Sequence, residues 1–193
     1  MKYIALDIGQ CCIRLDRPAC FAYLGYGDLA TFPPEMEPVF VQYEKGQIDR
    51  GQFLAGLREQ CHRDWTDKQI LNAFVLMLGT EMPGMAETIA EIKRAGTSVA
   101  FFSDASEYHR EVFYSHFPAI SSQVPEGVFS YEVGCYKPEP PMYEEFERRF
   151  GVPVLYTDDR EQNIAAAQAR GWPAWQFTDI DSFRSELSRR KLI

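Results

Sequence analysis

The sequence predicts an α/β fold: a parallel β-sheet between two layers of helices, with a small helical unit inserted after the first strand. Three observations carry that expectation. From about residue 83 to the end, short apolar runs alternate with helical patterns. One further apolar run stands alone at the start, over residues 2–7. Between them, from Arg17 to Gly79, the spacing is helical and no convincing strand is visible.

Tyr3-Ile4-Ala5-Leu6 runs apolar into Asp7 and Gly9, the pattern of a buried strand closed by a turn. The segment 8–16 reads as irregular. Asp16 is placed to cap a helix beginning Arg17-Pro18, where the missing proline N–H costs nothing. Pro33-Pro34 precede a helix over 35–45, ended by Gly46. Asp49 caps the next helix, whose Phe53, Leu57 and Cys61 share one face. Thr66-Asp67-Lys68-Gln69 fits a capping box opening a helix with Ile70, Leu71, Phe74, Val75 and Leu78, stopped by Gly79. These four helices define a unit over 16–79, and residues 1–15 with 80–193 form the α/β core. The apolar helix over 67–78 reads as the core of that unit or as a homodimer face.

Pro83-Gly84 opens a helix with Met85, Ile89 and Ile92 at helical spacing, closed at Ala95-Gly96. Val99–Ser103 is a buried strand, and Ser106 to Phe117 is helical. Gly127–Tyr131 reads as a third core strand, and Gly134 to Pro141 as a proline-rich loop around Lys137. Met142 to Phe150 is a helix. Pro153–Thr157 is a strand ending in Asp158-Asp159, and Glu161 to Arg170 is a helix. Pro173–Phe177 is the last strand, and Asp179 caps a final helix with Ile180, Phe183 and Leu187.

Of 193 residues, 46% are apolar and 25% charged, which is the composition of a folded domain. The net charge of −8 lacks the basic footprint of a nucleic-acid binder. No apolar run approaches the length of a membrane span. The 5 cysteines, odd in number and without a C-x-x-C pair, read as reduced thiols. Residues 1–6 are too short for a signal-peptide apolar region. Together these predict a cytoplasmic protein with no membrane partner.

Parallel strands deliver their carboxyl ends to one edge of the sheet, where ligands bind. That edge receives Asp7, Ser103 and Asp158-Asp159, with Lys137 in an adjacent loop. Carboxylate oxygens without a histidine or thiol pattern suit a hard cation such as Mg²⁺. A lysine with a hydroxyl suits a phosphate. The set suits phosphoryl transfer with an aspartate nucleophile.

In these four motifs, taken in order, the chain resembles the haloacid dehalogenase superfamily over essentially its whole length. The motifs are Ile4-Ala5-Leu6-Asp7-Ile8-Gly9, Val99-Ala100-Phe101-Phe102-Ser103-Asp104, Gly134-Cys135-Tyr136-Lys137-Pro138-Glu139, and Leu155-Tyr156-Thr157-Asp158-Asp159 with Asn163. The nearest branch by motif holds bacterial sugar-1-phosphate phosphatases. The resemblance implies a three-layer Rossmann-like sheet with a helical cap of the first type. It implies a Mg²⁺-dependent phosphatase of a small phosphorylated metabolite, a sugar phosphate among the candidates. It makes Asp7 the nucleophile, forming an aspartyl-phosphate, with Lys137 neutralising charge. Ser103, Asp104 through its backbone N–H, and Lys137 would hold the phosphate. Asp7, the Gly9 carbonyl, Asp158 and Asp159 would serve the metal, with Asn163 supporting it from behind.

Three positions depart from that pattern. Gly9 stands where most phosphatases of the superfamily carry a general-acid aspartate, a group worth about 10²–10⁴-fold in rate. Asp104 stands where the branch has asparagine, and Gln10-Cys11-Cys12 where small or apolar residues are usual. The alternative to an enzyme is therefore a catalytically impaired relative that binds a phosphorylated ligand or a protein. Dehalogenation, for which Arg14 and Arg17 would be the arginines near the first motif, fits the Asp-Asp metal motif less well.

Overall fold

The computed structural model describes residues 2–193; Met1, at the start of the expected core unit, lies outside the described residues. Strand β1 (Tyr3–Leu6) is the middle of a five-stranded parallel sheet. Its neighbours are β4 (Ser98–Ser103) and β6 (Leu155–Asp158), with β5 (Gly127–Phe129) and β7 (Ala174–Gln176) outside them, in the order β5-β4-β1-β6-β7. Alternation along the strands divides the core in two. Ile4, Leu6, Val99, Phe101 and Leu155 face one apolar layer. Ala5, Ala100, Phe102 and Tyr156 face the other. The first layer is covered by α5 (Met85–Arg94), α6 (Glu107–His116) and α11 (Ile180–Arg189). The second is covered by α9 (Pro140–Phe150) and α10 (Glu161–Ala169). Both faces are buried, as an all-parallel sheet requires.

The helical unit comprises α1 (Arg17–Tyr23), α2 (Glu37–Glu44), α3 (Arg50–Cys61) and α4 (Asp67–Met77), around an apolar core of its own. Phe21, Phe40, Phe53, Leu57, Ile70 and Phe74 are buried in it. Both expected caps are present: the capping box of Thr66 with Gln69, and Asp49, which forms a capping box of its own with Gln52. On α4, Ile70, Ala73, Phe74 and Met77 turn inward, whereas Leu76 is 42% exposed.

Three stretches differ from the sequence expectation. Segment 8–16 is not wholly irregular, and a strand lies within the segment read as helical. Strand β2 (Ile13–Leu15) pairs antiparallel with β3 (Leu78–Glu81), a two-stranded ribbon through which the chain enters and leaves the helical unit. Such short strands exist by virtue of each other, and the two lie more than sixty residues apart in sequence. Gly79 does not simply stop a helix: a Cβ there would lie 2.8 Å from the Arg14 carbonyl oxygen, so the glycine lets the strands approach. The expected strand 127–131 ends at Phe129, and Ser130–Val133 forms a helical turn, α8. A further short helix, α7 (Pro118–Ser121), follows α6. Among the described residues no helix is long and apolar enough to cross a membrane.

Candidate active site

Asp7, Ser103 and Asp158 sit where strands end at the carboxyl edge of the sheet, while Lys137 reaches that edge from a loop and Asn163 from α10. Asp7 follows β1 directly, its N–H donating to the Thr157 carbonyl at 3.1 Å. Ser103 ends β4, and Asp158 ends β6. Lys137 lies on the loop before α9 and reaches inward until only 2% of its side chain is exposed.

The Lys137 ammonium spends all three hydrogens: on Asp7 Oδ1 at 2.8 Å, Asp158 Oδ2 at 2.6 Å and the Phe102 carbonyl at 2.8 Å. Burial works against its charge, yet Asp158 and Asp7 outweigh burial and hold it above the ordinary lysine range. Asp158 is fully buried and saturated. It also accepts from Tyr156 Oη at 2.5 Å, from the Arg160 N–H at 2.9 Å, and from Asn163 Nδ2 at 3.0 and 3.1 Å. Burial alone would raise its carboxyl, but the Lys137 ammonium and these donors hold it below the usual value. Asp7 has fewer donors, and burial pushes it up to about 7, with Lys137 opposing and Asp158 adding to the rise.

The two acidic neighbours at the end of β6 therefore differ in kind. Asp158 is an anchor for Lys137. Asp159, with burial and then Asp158 raising its carboxyl, lies instead in a cluster with Asp7 and the Cys11 sulfur, whose ligand atoms all fall within 4.8 Å of one another. Asp158, which the resemblance sets beside Asp159 as a further metal group, is outside that cluster. Asn163 supports Asp158 from behind, and its buried Oδ1 has no partner. Burial, then Asp7 and Asp158, raises the Cys11 thiol well above its ordinary value, so it is a neutral group here.

The Asp104 carboxylate is engaged by its neighbours. Its Oδ1 accepts from the Lys137 N–H at 2.9 Å, and Oδ2 lies 3.8 Å from Arg160 Nη1. The extra negative charge thereby fixes the Lys137 loop. Gly9 is next to a filled space: a Cβ at that position would lie 3.2 Å from Leu15 Cδ1.

Two adjoining cavities meet here. The smaller, about 160 Å³, holds Asp7, Asp159 and Asn163 together with Arg17 and Arg160. The larger, about 340 Å³, extends beneath the helical unit; Phe32, Phe40, Val41, Met77 and Phe113 supply apolar walls, and Glu37, Glu44, His109 and Tyr136 are among the polar ones. Gly9, Leu15, Arg17, Ser103, Asp104, Lys137 and Arg160 border both. Polar contacts hold the helical unit against the core at this point. Tyr136 Oη donates to Glu44 Oε2 at 2.9 Å, Ser130 Oγ donates to the Glu44 carbonyl at 2.7 Å, and Lys45 pairs with Glu139 at 2.9 Å.

Sequence reading did not single out Arg160, Glu44, Ser130 or Tyr136 as site residues, and it gave His109 none of the chemistry. No local pattern marks them. Each is an ordinary polar position on a helix or in a turn until the helical unit packs on the sheet.

No family model matches the chain, and no curated protein does. Solved structures do. A HAD family enzyme of Bacteroides thetaiotaomicron, bt-2542, in its magnesium complex, is 24% identical over 93% of this chain and 94% of its own, with a TM-score of 0.79. The same enzyme has been crystallised with magnesium and inorganic phosphate. A predicted HAD-like family hydrolase of Porphyromonas gingivalis is 19% identical over 98% and 97% of the two chains, with a TM-score of 0.81. The L-2-haloacid dehalogenase of Xanthobacter autotrophicus is 13% identical over 98% and 83%, with a TM-score of 0.64.

Proposed function

The chain has the haloacid dehalogenase-like fold, and on that premise we propose that it is a Mg²⁺-dependent phosphatase of a small phosphorylated metabolite. One observation carries the reading: the Lys137 ammonium joins Asp7 to the saturated Asp158 at the mouth of a cavity that Ser103 also borders. A carboxylate held from one side by a fixed ammonium is a positioned nucleophile. Asp7 attacks phosphorus and becomes an aspartyl-phosphate, which water then hydrolyses. Ser103 and the Asp104 N–H hold phosphoryl oxygens, and Lys137, with Arg17 and Arg160 nearby, offsets their charge. The helical unit over 16–79 acts as a cap that keeps bulk water from the site.

The carboxylates of Asp7 and Asp159, in a cavity that the unpartnered Asn163 also lines, fit a hard cation that the Gly9 carbonyl would join, and the neutral Cys11 sulfur in the same cluster is too soft a ligand to compete for it. Mg²⁺ bound there would offset charge on the phosphoryl oxygens. The solved relative that holds magnesium and inorganic phosphate together supports this assignment.

Release of inorganic phosphate from a panel of phosphomonoesters, sugar phosphates included, tests the reading. Activity that needs Mg²⁺ and is lost in Asp7→Asn is expected. Activity that survives either change overturns it. The Leu15 side chain beside Gly9 favours a second reading, a relative that binds phosphorylated ligands without turnover; saturable binding with no release from any ester would establish that one instead.

A further inference from the structure

The site as described has no proton donor for the leaving group. Gly9 carries none, and Leu15 fills the space beside it. In an in-line displacement the leaving oxygen departs on the side opposite the nucleophile. Ser103, Asp104 and Lys137 border both cavities, whereas Asp7 borders only the smaller one, so the leaving oxygen points into the larger cavity under α2.

The groups around that cavity can be sorted by what each can do with a proton. Lys137 has committed all its hydrogens, and the arginines do not deprotonate. Tyr136 donates its hydroxyl hydrogen to Glu44, and burial followed by that carboxyl raises it far out of range. Burial holds His109 down at about 4, with the Phe74 carbonyl opposing, so it is neutral. Glu44 remains. Its Oε2 is taken by Tyr136, while Oε1 lies 3.9 Å from His109 Nδ1, too far for a hydrogen bond. The side chain is 15% exposed, which leaves Oε1 open to the cavity and protein around the rest. Burial pushes this carboxyl up to about 8; Tyr136, Arg160 and Arg17 pull it down and Asp104 pushes it up.

We propose that Glu44 is the general acid and base of this site, supplied from the helical unit in place of the residue missing at position 9. The proposal rests on the phosphatase reading above. In the first half-reaction the Asp7 oxygen–phosphorus bond forms, the ester P–O bond breaks, and the Glu44 proton passes to the leaving oxygen, which departs as an alcohol. In the second, water adds to phosphorus, the Asp7 oxygen–phosphorus bond breaks, and the water proton returns to the Glu44 carboxylate. Protons and bonds balance over one turnover, and no further reactant is needed.

A leaving-group series tests it, because an acid matters only where the departing oxygen is basic. In Glu44→Gln, kcat/KM for an alkyl phosphate should fall about 10²–10³-fold, while that for p-nitrophenyl phosphate should fall less than about 10-fold. In the wild-type protein the alkyl ester should lose kcat/KM as pH rises through about 8, and p-nitrophenyl phosphate should not. The wild-type comparison stands even if the variant folds poorly. An equal loss for both esters, or no loss, overturns the role of Glu44 while Asp7-dependent release leaves the phosphatase reading intact. No Asp7-dependent release from any ester overturns both.

Discussion

The strand-end cluster and the cavity beneath the helices bury ionisable groups in opposite ways. Around Lys137, each charge meets its opposite at contact: ammonium to Asp7 and Asp158, and Asp158 to three donors besides. Under α2, Glu44 and His109 face each other across 3.9 Å with no counter-charge touching either, and burial pushes both toward neutrality. Pairing immobilises groups and fixes their protonation. Burial without pairing keeps a proton exchangeable near neutral pH. One region is built to hold geometry, and the other retains groups that a ligand can engage.

The sharpest way to break the contrast is to remove the shared cation. Lys137→Met leaves two buried carboxylates facing each other, and a loss of about 3–5 kcal/mol in urea unfolding is expected, with activity gone. A variant that keeps wild-type stability would mean the cluster is not held by pairing. The neutral pair answers to pH instead. His109 binds a proton at 6.5 when unfolded and at about 4 when folded, so the unfolded chain holds more protons between those values. Its stability contribution is present above pH 6.5 and lost as pH falls through 4, on the order of 3 kcal/mol. Denaturation midpoints measured across that window should slope in the wild type and flatten in His109→Phe. For Glu44 the sign reverses: its contribution is complete below 4.5 and lost as pH rises through about 8, a limb that Glu44→Gln should remove.

At the boundary between the regions, Gly9→Asp should cost about 1–3 kcal/mol by crowding Leu15, whose Cδ1 would lie 3.2 Å from the new Cβ. Combined with Leu15→Ala, the double variant should be more stable than the sum of the single losses implies; strict additivity in a double-mutant cycle would show that the two side chains do not compete for the space. The smallest effect on stability belongs to Arg160→Ala. Its side chain is 48% exposed and lies 3.8 Å from Asp104, so the loss should stay under about 1 kcal/mol. Weaker binding of inorganic phosphate, read by calorimetry, is expected all the same.

The legibility of the two regions differs in the same way. Asp7, Ser103 and Asp158-Asp159 could be placed from sequence because each follows an apolar run, and a parallel sheet must bring such ends to one edge. The helix starts at Asp49, Thr66 and Asp179 were equally plain, since a cap is a contact three residues long. The cavity was opaque. Glu44 is one of many glutamates until α2 meets the Tyr136 loop, and His109 looks like any helix position until Phe40 and Phe74 close around it.

The sequence by itself determined the parallel core, the inserted helices and the set of polar residues at the sheet edge, because period, capping and strand termination are local properties. Only the tertiary structure decided the pairing of β2 with β3, the separation of Asp158 as an anchor from Asp159 beside Asp7, the filling of the space at Gly9 by Leu15, and the neutral state of Glu44. Each of those depends on atoms distant in sequence, and a carboxyl's behaviour is set by the donors and the dielectric that folding puts around it.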